Sequence, residues 1–260
     1  VSSKRVNEAL EQARALLENA QRIVAVTGAG ISAESGVPTF RGPEGLWKSY
    51  RPEELATPEA FARDPRTVWE WYAWRRELIA NCSPNPAHLA LARLALDHPD
   101  VAIITQNVDD LHIRAAKEQG DVLDLSPALP IELHGSINRD RCSACDYRQP
   151  GSLVIDVTSI NTLPQCDQCS GLMRPDVVWF GEVLDEVILD RAFRLAHSAD
   201  LCLVVGTSAL VHPAASVPLA TLGNGGKLIE INLQETSLTP HASTQLNAPA
   251  GIVLSKLIPG

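Results

Sequence analysis

The stretch RIVAVTGAGISAESG, from Arg22 to Gly36, decides the fold. Ile23 to Val26 form a short unbroken apolar run, the pattern of a strand buried on both faces. It passes directly into Thr27-Gly28-Ala29-Gly30-Ile31-Ser32-Ala33-Glu34, which satisfies G-x-G-x-x-A at a strand-to-helix turn. Glycines at such a turn let the backbone approach a dinucleotide pyrophosphate lying at the helix N-terminus. An ordinary tight turn between strand and helix carries the same pattern. Moreover, the acidic residue that follows a dinucleotide fingerprint after about twenty positions would fall in a Pro- and Gly-rich segment here, not at the end of a second strand. That departure argues against an ordinary dehydrogenase.

Working outward, VAIITQN from Val101, LCLVVGTS from Leu201 and KLIEIN from Lys227 repeat the apolar run with a polar ending. Between them lie helical patterns, HLALARLALDH from His88 and LDEVILDRAFRLAHSAD from Leu184, and a further amphipathic stripe covers Ser3 to Ala20. Strands alternating with helices predict an α/β fold, a Rossmann-like parallel sheet covered by helices on both faces. The alternation breaks between about Asp140 and Met173, which reads as a smaller module, and from Val37 to about Thr57, where Pro38, Gly42, Pro43, Gly45 and Pro52 suggest a mobile loop over the sheet. The expected division is therefore 1–36, 84–139 and 174–260 for the nucleotide domain, 37–83 for the loop and the helical part of a small domain, and 140–173 for the module.

The chain has 260 residues, 45 % of them hydrophobic and 20 % charged, which is the composition of a globular protein. Its 22 Lys and Arg face 31 Asp and Glu, a formal charge of -9, and no basic run offers a footprint for nucleic acid. No apolar stretch approaches the roughly 20 residues that span a bilayer, and VSSKRVNEAL has no signal-peptide core. The expectation is an intracellular protein, cytoplasmic or mitochondrial, with no membrane or nucleic-acid partner. Val1 in place of Met leaves a removed leader open.

Cys142 and Cys145 form one C-x-x-C, Cys166 and Cys169 another, with twenty residues between them. Two disulfides or a redox pair are the competing readings, but nothing marks the chain as secreted, and the spacing suits a tetrahedral zinc ion held by four thiolates. A site closed by four cysteines is structural.

Three further strand endings carry polar groups: Gln106, Asn107 and Asp109 after VAIIT, Gly206, Thr207 and Ser208 after LCLVV, and Asn232 after KLIEI. Any one of them could be routine helix capping. Four endings together, the glycine loop included, point to a ligand crevice at the carboxyl edge of the sheet.

GAGISAESGVPTFRG from Gly28, TQNVDDLH from Thr105, ELHGS from Glu132, the paired C-x-x-C motifs, RPDVVWFGE from Arg174 and LVVGTS from Leu203 stand in the order found in sirtuins, and the chain resembles that family from about Arg22 to Gly251. The resemblance implies an NAD-binding sheet, a structural Zn2+ module and NAD-dependent removal of acyl groups from protein lysines. It implies that His134 is the base toward a ribose hydroxyl of NAD, that the acyl oxygen attacks the ribose carbon as nicotinamide leaves, and that the products are free lysine and O-acyl-ADP-ribose. Asn107 and Asp109 match polar groups around nicotinamide and ribose, and Phe40 and Arg41 match a loop closing over NAD. Gly28, Ala29, Gly30, Ser32, Ala33, Glu34, Gln106, Gly206, Thr207, Ser208, Asn232 and Leu233 match other cofactor-binding positions. Val178, Trp179, Phe180, Gly181 and Glu182 match the strand against which an acyl-lysine peptide lies by backbone pairing. Two features depart from the family pattern. DVLDLSPALPI, from Asp121 to Ile131, is long ahead of the histidine, and Ala250 stands where some relatives have the cysteine of a Gly-Pro-Cys near the adenine.

Asp64 followed by Pro65 reads as an N-cap and first helical position, opening a helix through about Ala80. Val68, Tyr72, Arg75 and Ile79 share one face of it, so a cation lies on an apolar stripe. Such an arginine could snorkel or pair internally. Tyr72 and Arg75, however, match the Tyr-x-x-Arg of sirtuins of the desuccinylase and demalonylase type, and Ala56 matches their small pocket residue. The resemblance thus implies succinyl, malonyl or glutaryl lysine as substrate. The alternatives are a broad deacetylase, a mono-ADP-ribosyltransferase using the same nucleotide site, and a non-enzymatic NAD or ADP-ribose sensor.

Overall fold

The computed structural model describes residues 3–39, 50–120 and 126–259. Among them the strands are β1 (Ile23–Thr27), β2 (Val101–Thr105), β3 (Ile131–Glu132), β4 (Gly135–Cys142), β5 (Arg148–Pro150), β6 (Met173–Val177), β7 (Leu201–Val205), β8 (Lys227–Ile231) and β9 (Thr244–Leu246). Six of them form a parallel sheet in the order β3-β2-β1-β7-β8-β9. The four apolar runs are its centre; β3 and β9, two and three residues long, are the edges that the sequence reading did not include.

Both faces of this sheet are covered. Ile23 and Ala25 pack with Ile103, Leu203 and Ile229 under the helices Pro86–Asp97 and Ala250–Leu257, while Val24 and Val26 pack with Ile104, Cys202 and Val204 under Glu186–Ser198. The period of two along each strand divides its side chains between the two cores. Helix starts follow local chemistry: Asn85 caps the helix opening at Pro86, and the Asp185 side chain accepts from Val187 and Ile188 N–H. The helix Ser3–Asn19 lies where the stripe predicts. No described helix is long and apolar enough to cross a membrane.

From the centre the chain builds outward through β2 and β3, then returns beyond β1 to lay down β7, β8 and β9. The direction reverses between β1 and β7, and a crevice opens at the carboxyl ends of strands at such a switch point. Thr27 pairs with Thr105 on one side and Val205 on the other, so the loops after these strands leave at one level.

A second, antiparallel sheet, β5-β4-β6, runs from Gly135 to Val177, so the expected module bounds of 140 and 173 fall inside β4 and at the start of β6. It shares one core with the helix Pro65–Ala80: Val68, Trp69, Trp71 and Tyr72 pack with Ile137, Cys142, Met173 and Trp179. Arg76, 1 % exposed, pins helix to sheet by donating to the carbonyls of Ile137, Ser152 and Arg139 and to the Asp140 carboxylate. Within the expected loop from 37 to 57, residues 40–49 lie outside the described residues, and Pro52–Leu55 is a short helix.

Candidate active site

The glycine loop and the end of β7 meet backbone to backbone. Gly30 N–H donates to the Gly206 carbonyl at 2.7 Å, and Gly206 has φ +60. A Cβ on Gly206 would stand 2.3 Å from Ile31 N, and one on Gly30 2.7 Å from the Gly206 oxygen. Glycine is required at both positions for the crevice floor to be bare backbone, as a pyrophosphate site needs. Side chains then tie the strand ends together: Gln106 Nε2 donates to Thr207 Oγ1 at 3.0 Å, and Asn232 Nδ2 to the Thr207 carbonyl at 2.8 Å. Gly28, Ala29, Ser208 and Leu233 complete this end of a cavity of about 1010 Å³.

His134, just past β3, lies on the same cavity wall. Its Nδ1 is 2.8 Å from the Gln106 carbonyl, which can only accept, so Nδ1 carries the proton and Nε2 is left bare. Burial holds its pKa below the usual histidine value and so keeps the ring neutral and able to take a proton, with the Gln106 bond opposing this in part. Asn107 is fixed by donating to the Gly28 carbonyl and Ser32 Oγ, leaving its Oδ1 to meet a ligand. Asp109 accepts from Leu111 N–H, the local capping role, yet it also lines a small adjoining space with Ser32, Asn107 and Arg75. Burial pushes its carboxyl up, while the Ser32 hydroxyl and Arg75 oppose the rise.

A second group of cavity residues comes from the helix Pro65–Ala80. Asp64 caps the helix Pro65–Ala80 by accepting from Thr67 N–H, and Val68, Tyr72, Arg75 and Ile79 are all buried along one stripe. Tyr72, Arg75 and Ala56 reach the cavity. Arg75 is 4 % exposed, its guanidinium lies 5.3 Å from the Trp71 ring centroid, and burial pulls its pKa down while the Asp109 carboxylate opposes the fall.

Residues 178–182 require a correction: they form a turn after β6, not a strand. Gly181 has φ +88, and four backbone N–H groups already have partners within the chain: Val178 on His134 O, Trp179 on Glu182 Oε2, Phe180 on Ala56 O and Glu182 on Trp179 O. The segment lines the cavity through Val178, Trp179, Phe180, Gly181 and Glu182, with little free backbone for ladder pairing. Glu182 is held by Arg174 and Arg141.

Three expected cofactor positions lie away from the cavity. Ala33 and Glu34 are exposed at the end of their helix, and Glu34 turns to accept from Gly251 N–H at 2.9 Å. That carboxylate occupies the N-terminus of the last helix, where Ala250 is the buried first residue. Phe40 and Arg41 lie outside the described residues. The cavity also includes residues the sequence reading omitted, among them Trp71, Val211, His212 and Thr236. Thr236 and Thr239 donate to Glu230, buried in β8, and so fasten the loop bearing Asn232. The only sequence signal for that clamp is a carboxylate inside an apolar strand.

The four cysteine sulfurs lie within 4.8 Å of one another, with separations of 3.4 Å for Cys142 and Cys169, 3.7 Å for Cys145 and Cys166 and 3.6 Å for Cys145 and Cys169. A tetrahedron with metal–sulfur bonds of about 2.3 Å places its sulfurs about 3.8 Å apart, so the cluster fits zinc. Backbone N–H groups of Ala144 and Gln168 point at the Cys142 and Cys166 sulfurs, as thiolate ligands require. Cys142→Ser is expected to lose zinc by elemental analysis and to lower Tm by at least about 5 °C. A metal-free variant melting like the parent would contradict this.

A neutral histidine with a bare ring nitrogen beside a crevice built on backbone amides fits the site of a nucleotide-dependent enzyme. The chain belongs to the Sir2 family, whose pattern matches residues 28–213. It is 50 % identical over 252 residues to an NAD-dependent protein deacylase of Thermococcus kodakarensis, covering 96 % of this chain and 94 % of the relative. The structure of a Sir2 homologue bound to NAD superposes with a TM-score of 0.83 at 49 % identity, covering 95 % of this chain and 92 % of that one. A Sir2 protein with a deacetylated p53 peptide and 3'-O-acetyl ADP ribose gives 0.80 at 34 % identity over 95 % and 96 % of the two chains. NAD is the cofactor, and zinc the structural metal.

Proposed function

We propose that this NAD-dependent protein deacylase removes short acidic acyl groups, succinyl, malonyl or glutaryl, from protein lysines. One observation carries the reading: a buried arginine, Arg75, lines the cavity together with Tyr72 and the small Ala56. Arginine binds a carboxylate through two parallel hydrogen bonds, and tyrosine adds a third donor. An acetyl group offers them no acceptor at that depth.

In this reading NAD supplies the transfer chemistry, its nicotinamide leaving and its ribose taking the acyl group. The chain binds and orients. Gly28, Gly30, Gly206 to Ser208, Asn232 and Leu233 bind the nucleotide, the glycines letting its phosphates approach the backbone. Asn107 and Asp109 face the nicotinamide side. His134 takes the ribose hydroxyl proton on Nε2, while Nδ1–H on the Gln106 carbonyl fixes the tautomer. Residues 178–182 flank the acyl-lysine. The proposed division follows: 1–36, 84–139 and 174–260 form the nucleotide domain, 37–83 the cofactor loop and the helical part of the small domain, and 140–173 the metal module.

Incubation with NAD and a succinyl-lysine peptide tests the reading. The expected product, by mass spectrometry, is O-succinyl-ADP-ribose with free lysine. ADP-ribosylated protein without acyl loss would instead indicate a transferase, and faster turnover of the acetyl peptide would indicate a general deacetylase.

A further inference from the structure

The indole N–H of Trp179 donates to the phenolic oxygen of Tyr72 at 2.8 Å, between two side chains each 2 % exposed. An indole nitrogen can only donate, whereas a phenol can donate or accept. The bond therefore settles the direction: the Tyr72 oxygen accepts, and its own proton points elsewhere. Among the described residues this indole is the one hydrogen-bond partner of that hydroxyl, and Tyr72 also lines the cavity. Arg75, on the same helix face, likewise has only donors. Burial pushes the phenol up to about 12, so the proton stays on the oxygen throughout the neutral range.

Trp179 is firmly held. Its backbone N–H donates to Glu182 at 2.8 Å, the Arg174 guanidinium lies 3.2 Å from the ring centroid, and Phe61 packs at 5.3 Å. Glu182 is itself gripped by Arg141 and Arg174, on the strands of the small sheet.

We propose that Trp179 is a specificity-determining positioning residue, which by engaging the Tyr72 oxygen makes the Tyr72 hydroxyl an obligate donor toward the acyl carboxylate. This rests on the acidic-acyl reading above. With the Tyr72 hydroxyl and the Arg75 guanidinium both presenting donors, a group that only accepts is favoured over one that must also donate. The informative competitor for succinyl-lysine is thus its carboxamide isostere, of the same shape, with the terminal carboxylate replaced by an amide.

The experiment compares kcat/KM for these two peptides. The parent is expected to prefer the carboxylate. Trp179→Phe removes the N–H and keeps a ring, and the carboxylate-to-amide ratio is expected to fall about five- to tenfold, mainly through a higher KM for the succinyl peptide. Because phenylalanine leaves space behind, a second variant carries benzothienylalanine at position 179, which has the shape of tryptophan without its N–H, and the same fall is expected. In a Tyr72→Phe background neither change should alter the ratio further. A ratio unmoved in both Trp179 variants while Tyr72→Phe lowers it would overturn the proposal and leave the acidic-acyl reading intact, as would effects that add in full. A parent indifferent to carboxylate and amide would remove the acidic-acyl reading, and this proposal with it.

Discussion

His134→Ala is expected to bind NAD within about threefold of the parent by calorimetry, yet to lose about 10²- to 10⁴-fold in kcat for every acyl peptide, the range for removing a positioned base. The ring is at the cavity wall, and a methyl group in its place removes the proton acceptor without disturbing the glycine floor. The loss should be equal for succinyl and acetyl peptides, since the ribose proton is common to both. The pH profile carries a second signature. Burial lowers the pKa of His134, so Nε2 stays bare until the pH falls below the usual value of about 6.5, and only then does protonation remove the acceptor. The acid limb of kcat/KM is therefore expected below pH 6.5 in the parent and absent from the residual rate of the variant. Near-normal turnover by His134→Ala would take the residue out of the reaction.

Arg75→Met is expected to change selectivity. If the guanidinium meets the distal carboxylate in a site this buried, its removal leaves that carboxylate unpaired at a cost of about 2–5 kcal/mol, or roughly 30- to several thousand-fold in kcat/KM for the succinyl peptide. Acetyl lysine carries no carboxylate, and a methionine would spare the helix stripe a desolvated cation. Turnover of the acetyl peptide should therefore hold level or rise. The measured quantity is the ratio of the two activities, because a variant that only misfolds loses both. Equal losses would make Arg75 a structural residue and end the acidic-acyl reading.

What could be read in advance was whatever lies close together in the chain. The glycine loop shows its motif within six residues, the C-x-x-C pairs announce themselves by spacing, and Tyr72 and Arg75 meet on one face because a helix brings positions three apart together. The central strands were legible because burial on both faces makes them continuous apolar runs. The edges were not: β3 and β9 are too short to show a period, and β3 draws its neighbour from 27 residues away, Ile131 against Ile104. Glu34 misled because it belongs to the motif by sequence but turns to the last helix, whose N–H groups offer a nearer charge complement than the crevice. The bond from Trp179 to Tyr72 joins residues 107 positions apart, and no local pattern encodes it.

Arg76 carries a consequence for how the protein comes apart. One guanidinium bonds the helix Pro65–Ala80 to β4 and to Ser152 just beyond β5, a helix and a hairpin that lie 61 to 76 positions apart at these bonds. Opening any of them would strand a buried cation and the Asp140 carboxylate together, so none frays alone. They are expected to open as a single cooperative unit, their amide protons exchanging together. The helix bearing Tyr72 and Arg75 thereby takes its rigidity from the hairpin whose turn carries Cys142 and Cys145, so loss of the metal is expected to loosen that wall of the cavity.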